Sequence, residues 1–135
     1  MTGTVSAPEK YAGLFQAASQ KYGLGNGILE RIAKQESGFN PNAKNSKSGA
    51  AGMMQFMPGT AQGYGIDPYN PAQAIDAAGK MVSGLLAKYD GDMSKALAGY
   101  NWGGGNVDKA VKKYGANWLA YAPAETKNYI KKIMG

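Results

Sequence analysis

Nine carboxylates, at Glu9, Glu30, Glu36, Asp67, Asp76, Asp90, Asp92, Asp108 and Glu125, hold most of the proton-transfer chemistry open to this sequence, because its 135 residues include neither histidine nor cysteine. A Ser-His-Asp triad, a thiolate nucleophile, a Cys/His zinc site and a disulfide are therefore excluded. What remains besides the carboxylates is lysine and tyrosine.

Eight of the nine have structural explanations. Glu9, Asp108 and Glu125 fall where first helical turns are expected, and a negative charge there favours the helix dipole. Asp92 reads as an N-cap, Asp67 precedes Pro68 in a turn and Asp90 precedes Gly91 in another. Asp76 and Glu30 are expected on solvent-facing sides of their helices. Glu36 differs: on a helical wheel it lies about 20° from Leu29 and about 40° from Ile32, extending the apolar stripe at the end of its helix. Burial and the helix C-terminus both disfavour a charged carboxylate, and both raise its pKa, which suits a general acid. A glutamate that merely snorkels from a frayed last turn is the structural alternative on this geometry.

The elements that must position these residues are helical. Pro8 at a first helical position, with Tyr11, Leu14, Phe15, Ala18 and Tyr22 at three-and-four spacing, predicts one helix ending at Gly23. Asn26 predicts a cap for a second, carrying Ile28, Leu29, Ile32 and Ala33 to Ser37-Gly38. Asn70-Pro71 opens a third through Tyr89, Asp92 a fourth through Tyr100, Asn106 a fifth through Tyr114, and Pro123 the last through Met134. The stretch from Gly38 to Tyr69, rich in Gly, Asn, Ser and Pro, predicts a loop-rich cleft wall with a short helix over Pro58 to Gln62. No alternating strand and no internal repeat occurs. The expected fold is all-α, as one domain over residues 1–135.

Length and composition set outer bounds. A chain of 14.2 kDa with 44% apolar residues buries a core without a metal or disulfide staple. No apolar run approaches the roughly 18 residues of a membrane span, and Met1 to Lys10 contains no hydrophobic signal core. A formal charge of +6 suggests an anionic partner: nucleic acid, anionic lipid or a cell-wall polymer bearing carboxylates. Arg31 is the one arginine among fifteen Lys and Arg residues, which disfavours sequence-specific nucleic-acid readout. A lysine-studded surface that only maintains solubility is the other reading of that charge.

Four stretches around these residues form a pattern: Gln35-Glu36-Ser37-Gly38-Phe39-Asn40-Pro41, Gly52-Met53-Met54-Gln55-Phe56-Met57-Pro58, Gly99-Tyr100-Asn101 and Glu125-Thr126-Lys127-Asn128-Tyr129. In order and separation they resemble the motifs of the soluble lytic transglycosylase catalytic domain, a family related to goose-type lysozymes, over about residues 9 to 134. The resemblance implies a lysozyme-like helical fold and cleavage of the β-1,4 bond between N-acetylmuramic acid (MurNAc) and N-acetylglucosamine (GlcNAc) in peptidoglycan, leaving a 1,6-anhydro-MurNAc end. It implies that Glu36 is the single catalytic acid and base, with no cofactor and no metal. An intramolecular hydroxyl nucleophile has a high effective molarity and replaces the second carboxylate that hydrolases usually need.

By the same resemblance Gln55 binds substrate or orients the site, Met57 lines the sugar cleft, Tyr100 and Asn101 form the tyrosine motif near the glutamate, and Tyr129 is the terminal motif tyrosine. Ser46 matches a serine that holds the N-acetyl group or the catalytic geometry, although it lies one residue late and Ser48 is a substitute. Gly99 stands where alanine is usual, Met53 where leucine is, and Lys127 where arginine is common. Trp102 and Gly103-Gly104-Gly105 suggest an aromatic platform and a mobile cleft edge, with a buried Trp and a plain turn as the alternative.

Two further readings stay open: a goose-type muramidase in which an aspartate, best Asp67, activates water, and a wall-binding module without catalysis. A basic nucleic-acid binder is a third class. The expected partner is peptidoglycan glycan, without nucleic acid or membrane insertion, acted on by a monomer in the periplasm or cell wall. Without a signal peptide in this chain, delivery is expected by a phage, a virion or a secretion apparatus.

Overall fold

The computed structural model describes residues 5–135, so residues 1–4 of the stretch read as free of a signal core lie outside it. Seven α-helices carry the described chain, with no strand among the described residues and two isolated bridges, Lys44 with Ala51 and Ala51 with Phe56. No helix of the described residues is long and apolar enough to cross a membrane. The chain divides into two units, one ending at Lys80 and one formed by Met81–Gly135.

In the N-terminal unit, α1 (Glu9–Lys21) begins directly after Pro8, whose carbonyl accepts from the Tyr11 and Ala12 amides at 2.9 and 3.1 Å. Pro8 thus caps the helix instead of occupying its first position. α1 buries Phe15 and Ala18 against α2 (Ile28–Ser37), whose own buried side chains Ile28, Leu29, Ile32 and Ala33 keep the three-and-four spacing. The cap of α2 is Gly27, at φ +62°, and not Asn26. Asn26 sits at φ +60° and serves the helix through its backbone, its carbonyl accepting from Arg31 Nε at 3.2 Å.

The short helix of the loop-rich stretch is α3 (Pro58–Tyr64), with proline at its start as expected. α4 (Pro71–Lys88) is capped by Asn70, whose Oδ1 accepts from the Gln73 amide at 3.1 Å. Asp76 does not face solvent freely: Lys21 Nζ and the Tyr22 hydroxyl donate to its two oxygens at 3.0 and 3.1 Å, tying α1 to α4. Gly79 lets the Tyr22 ring lie against α4, because a Cβ there would come within 2.6 Å of Tyr22 Cδ2. Glu30 also departs from expectation. It is half-buried, and its Oε1 is enclosed with no donor from the described residues, beside a hollow of about 650 Å³ between α1 and the α1–α2 turn.

In the C-terminal unit, α5 (Met93–Trp102) is capped as expected by Asp92, whose Oδ1 accepts from the Lys95 amide at 3.1 Å. α6 (Gly104–Tyr114) starts earlier than Asn106 predicts, so Asn106 and Asp108 lie inside it. Asn106 Nδ2 donates back to the Trp102 carbonyl at 2.8 Å, while Asp108 accepts from Lys88 Nζ at 2.7 Å and from the Tyr89 hydroxyl at 2.9 Å. Asp108 therefore clips the end of α4 to α6 and has no first-turn dipole role. A 3-10 segment (Gly115–Tyr121) that periodicity does not reveal joins α6 to α7 (Ala124–Met134). α5 packs on both α6 and α7, and α6 packs on the 3-10 segment. Val82, Leu97, Val107, Trp118, Ile130 and Ile133 form this unit's core.

Candidate active site

Glu36 is the penultimate residue of α2 and half-buried, four residues beyond the fully buried Ile32 and seven beyond Leu29. Its position at the end of the apolar stripe is therefore as expected. The turn after it is built from two left-handed residues. Gly38, at φ +62°, closes the helix with its amide on the Lys34 carbonyl at 3.0 Å, and Phe39 follows at φ +64°. A phenylalanine in that region is unfavourable on its own. Its ring meets the buried Phe15 ring of α1 edge-on, with centroids 5.9 Å apart, and that packing holds the conformation.

Ser37 joins the glutamate's helix to the second motif. Its Oγ donates to the Met53 carbonyl at 2.7 Å and accepts from the Asn40 amide at 3.1 Å. Met53 and Met54 are fully buried, so the second motif is anchored by two apolar side chains. Around them Ala51 and Phe56 exchange backbone hydrogen bonds of 3.0 Å in both directions, closing a tight turn over Gly52 to Gln55. Gly52, at φ +82°, is required: a Cβ there would collide with the Pro68 carbonyl. Gln55 adopts φ +54°, and its Nε2 donates to the Gly52 carbonyl at 2.8 Å and the Ala43 carbonyl at 3.3 Å. Its amide nitrogen thus orders the turn, and its Oε1 stays available as an acceptor.

Met57 caps α3 and is 46% exposed, so it is a surface side chain and not part of the core. Ser46 is exposed, whereas Ser48 Oγ accepts from the Ala50 amide at 3.2 Å and shapes its own loop. No described hydrogen bond draws either serine toward Glu36. Asp67 is exposed, and its Oδ1 accepts from the Tyr69 amide at 2.9 Å, so the Asp-Pro turn accounts for it.

In the C-terminal unit the third and fourth motifs come together through the packing of α5 on α7. Tyr100 and Asn101 occupy the end of α5, and Asn101 Oδ1 accepts from Thr126 Oγ1 at 2.9 Å. Thr126 is 2% exposed and Tyr129, three residues on along the same face of α7, is 4% exposed. Thr126 and Ser37 make hydrogen bonds that spacing alone does not single out; Ser37 follows Glu36 in the first motif, and Thr126 lies three residues before Tyr129 in the fourth. Gly99, where alanine is usual in the resembling family, faces Leu85, whose Cδ2 a Cβ would approach to 2.9 Å. Gly104 and Gly105 open α6, so the glycine run is a helix start and not a plain turn. Trp102 is half-buried. Lys127 Nζ donates to the Ala120 carbonyl at 3.1 Å.

Chemically, the N-terminal unit offers a carboxyl group that can give and take a proton, with an amide acceptor nearby in sequence on a rigid turn. Among the described residues no group of three or more acidic side chains could hold a metal ion.

The family described as Transglycosylase SLT domain matches residues 13–120. The peptidoglycan transglycosylase gp16 of Escherichia phage T7 is 38% identical over an alignment of 138 positions that covers 96% of this chain and 10% of the phage protein. The transglycosylase of Enterobacteria phage PRD1 is 36% identical, over 87% of this chain and 39% of its own length. Membrane-bound lytic murein transglycosylase D of Escherichia coli K12 is 35% identical over 73% of this chain and 25% of its own. The chain therefore spans well under half of each of these relatives. Among solved structures, the 70-kDa soluble lytic transglycosylase in complex with bulgecin A superposes with a TM-score of 0.83 at 25% identity, over 94% of this chain and 23% of that one. An inactive glutamate-to-glutamine mutant of lytic transglycosylase Slt from Pseudomonas aeruginosa superposes with a TM-score of 0.79 at 25% identity, with the same coverage. The helical fold is that of these enzymes.

Proposed function

This chain belongs to the transglycosylase SLT domain family, and on that premise we propose that it is a peptidoglycan lytic transglycosylase that cleaves the MurNAc-GlcNAc β-1,4 bond and forms 1,6-anhydro-MurNAc. Residues 1–135 act as one catalytic domain in this reading. Glu36 carries it: the carboxyl group stands half-buried at the end of α2, within the family match, in a chain that has no histidine or cysteine to share the work.

Glu36 donates its proton to the glycosidic oxygen as the C1–O bond breaks, and GlcNAc leaves with a free hydroxyl. The C6 hydroxyl oxygen of the same MurNAc then bonds to C1 and gives its proton to the Glu36 carboxylate. The proton balance closes, and no water is consumed. Because nucleophile and electrophile belong to one sugar, no second carboxylate is required. Gln55 and Met57 contact the sugars; Tyr100, Asn101 and Tyr129 support the site, and Ser46 takes the N-acetyl contact. The inactivity of the Pseudomonas enzyme's glutamate-to-glutamine mutant supports one glutamate as the essential group.

The enzyme works as a monomer on the cell wall, and the two phage relatives favour delivery with a phage over secretion. A Glu36→Gln variant tests the reading: it should fold like the parent and fail to clear a peptidoglycan suspension. Clearing at the parental rate would remove Glu36 from the mechanism.

A further inference from the structure

Tyr114, at the end of α6, and Tyr121, at the end of the 3-10 segment, stack with ring centroids 3.6 Å apart and planes within 5°. Left alone, aromatic pairs prefer an offset or edge-on arrangement to full overlap, so the surrounding chain sets this one. The 3-10 segment packs on α6, Trp118 within it is buried, and the residue after Tyr121, Ala122, is buried with its amide on the Leu119 carbonyl at 3.1 Å. Tyr121 is nevertheless 58% exposed, the most exposed large hydrophobic side chain described. With one face covered by Tyr114, that exposure belongs to its other face and its edge. Cations flank the pair. Lys113 Nζ lies 5.4 Å from the Tyr114 centroid, and Lys127 Nζ is held on the carbonyl of Ala120, the residue before Tyr121.

We propose that the outward face of Tyr121, backed by Tyr114, is a binding platform for one pyranose ring of the peptidoglycan glycan, outside the residues assigned to catalysis. The inference rests on the peptidoglycan substrate proposed above. A sugar ring presents a flat face of C–H groups that covers an aromatic face, while its hydroxyl rim stays in water. The carboxylates of muramic acid lactyl groups and stem peptides match the flanking lysines in sign. A protein partner needs roughly 1,000 Å² or more, far beyond one ring. Single-stranded nucleic acid favours successive stacking rings and arginine, and here one face is open and Arg31 is the chain's one arginine.

The test measures binding to purified sacculi in a Glu36→Gln background, which keeps the glycan uncut. Tyr121→Ala should weaken binding roughly three- to tenfold, the worth of one aromatic face, and Tyr121→Phe, which keeps the face, should restore it. Equal binding by the alanine variant, or a loss in the phenylalanine variant as large as in alanine, overturns the platform. A second measurement needs no change at Tyr121: sacculi should protect its ring from nitration, read by peptide mass spectrometry. Unimpeded nitration, or better protection by single-stranded DNA, overturns the proposal. If the Glu36→Gln protein still thins the sacculi, the catalytic assignment fails while the Ala and Phe comparison still judges the platform. Absence of sacculus binding in every form, with no turnover by the parent, overturns both.

Discussion

A charged carboxyl group at the end of a helix, with apolar neighbours on its own face, is disfavoured by both the helix dipole and partial burial, and Glu36 occupies such a place. The residues that hold it there are smaller and less conspicuous. Ser37 Oγ ties the last turn of α2 to the Met53 carbonyl at 2.7 Å, so Ser37→Ala should cost about 1–2 kcal/mol of stability, measured by urea unfolding, and lower turnover by loosening the turn that bears Glu36. Thr126→Val keeps shape and removes the donor to Asn101; it should destabilise by about 1 kcal/mol through loss of that hydrogen bond to the half-buried Asn101 Oδ1. Glu36, at the end of the apolar stripe, and Gln55 and the tyrosines, by chemical type at motif positions, were legible as candidates. Ser37 and Thr126 were not, since a hydroxyl's role depends on which carbonyl or amide packing brings to it. Glu30 was misread for the same reason: its wheel angle points away from Ile28, but the α1–α2 turn encloses its Oε1.

At the scale of elements, caps and periodicity carried the fold far. Asn70, Asp92 and the proline starts were readable from local chemistry, whereas Asn26 and Asn106 were misread because glycine took the helix boundary in both places. The 3-10 segment left no periodic signal, since its apolar residues serve packing on α6. Gly52→Ala should cost on the order of 3 kcal/mol or more, because it meets the Pro68 carbonyl at a φ that alanine resists; a thermal melt checks it. Asp108 clips the end of α4 to α6 through Lys88 and Tyr89. The Lys88 ammonium first, then the Tyr89 hydroxyl, lower the Asp108 pKa by hydrogen bonding to its carboxylate. A depressed carboxyl stabilises the fold above its unfolded pKa of about 3.9 and loses that contribution as pH falls through the lower folded value. The melting temperature of the parent should exceed that of Asp108→Asn near neutral pH, and the gap should close with acidification below about pH 4; a gap independent of pH would contradict the clip.

For the whole molecule, the absence of His and Cys leaves nine carboxylates, the lysines and the tyrosines for proton transfer, and the proposed mechanism uses Glu36 with a nucleophile supplied by the sugar. The helical fold shared with solved lytic transglycosylases and the match over residues 13–120 place the chain in a family named for that reaction. Asp67, the residue best suited to activate water, accepts from the Tyr69 amide in its own turn, which accounts for it without a part in hydrolysis. The products therefore separate the two chemistries. Purified peptidoglycan digested to completion and analysed by mass spectrometry should yield MurNAc ends in the 1,6-anhydro form, lighter than reducing ends by one water. Reducing ends alone would contradict the account and identify the enzyme as a hydrolase.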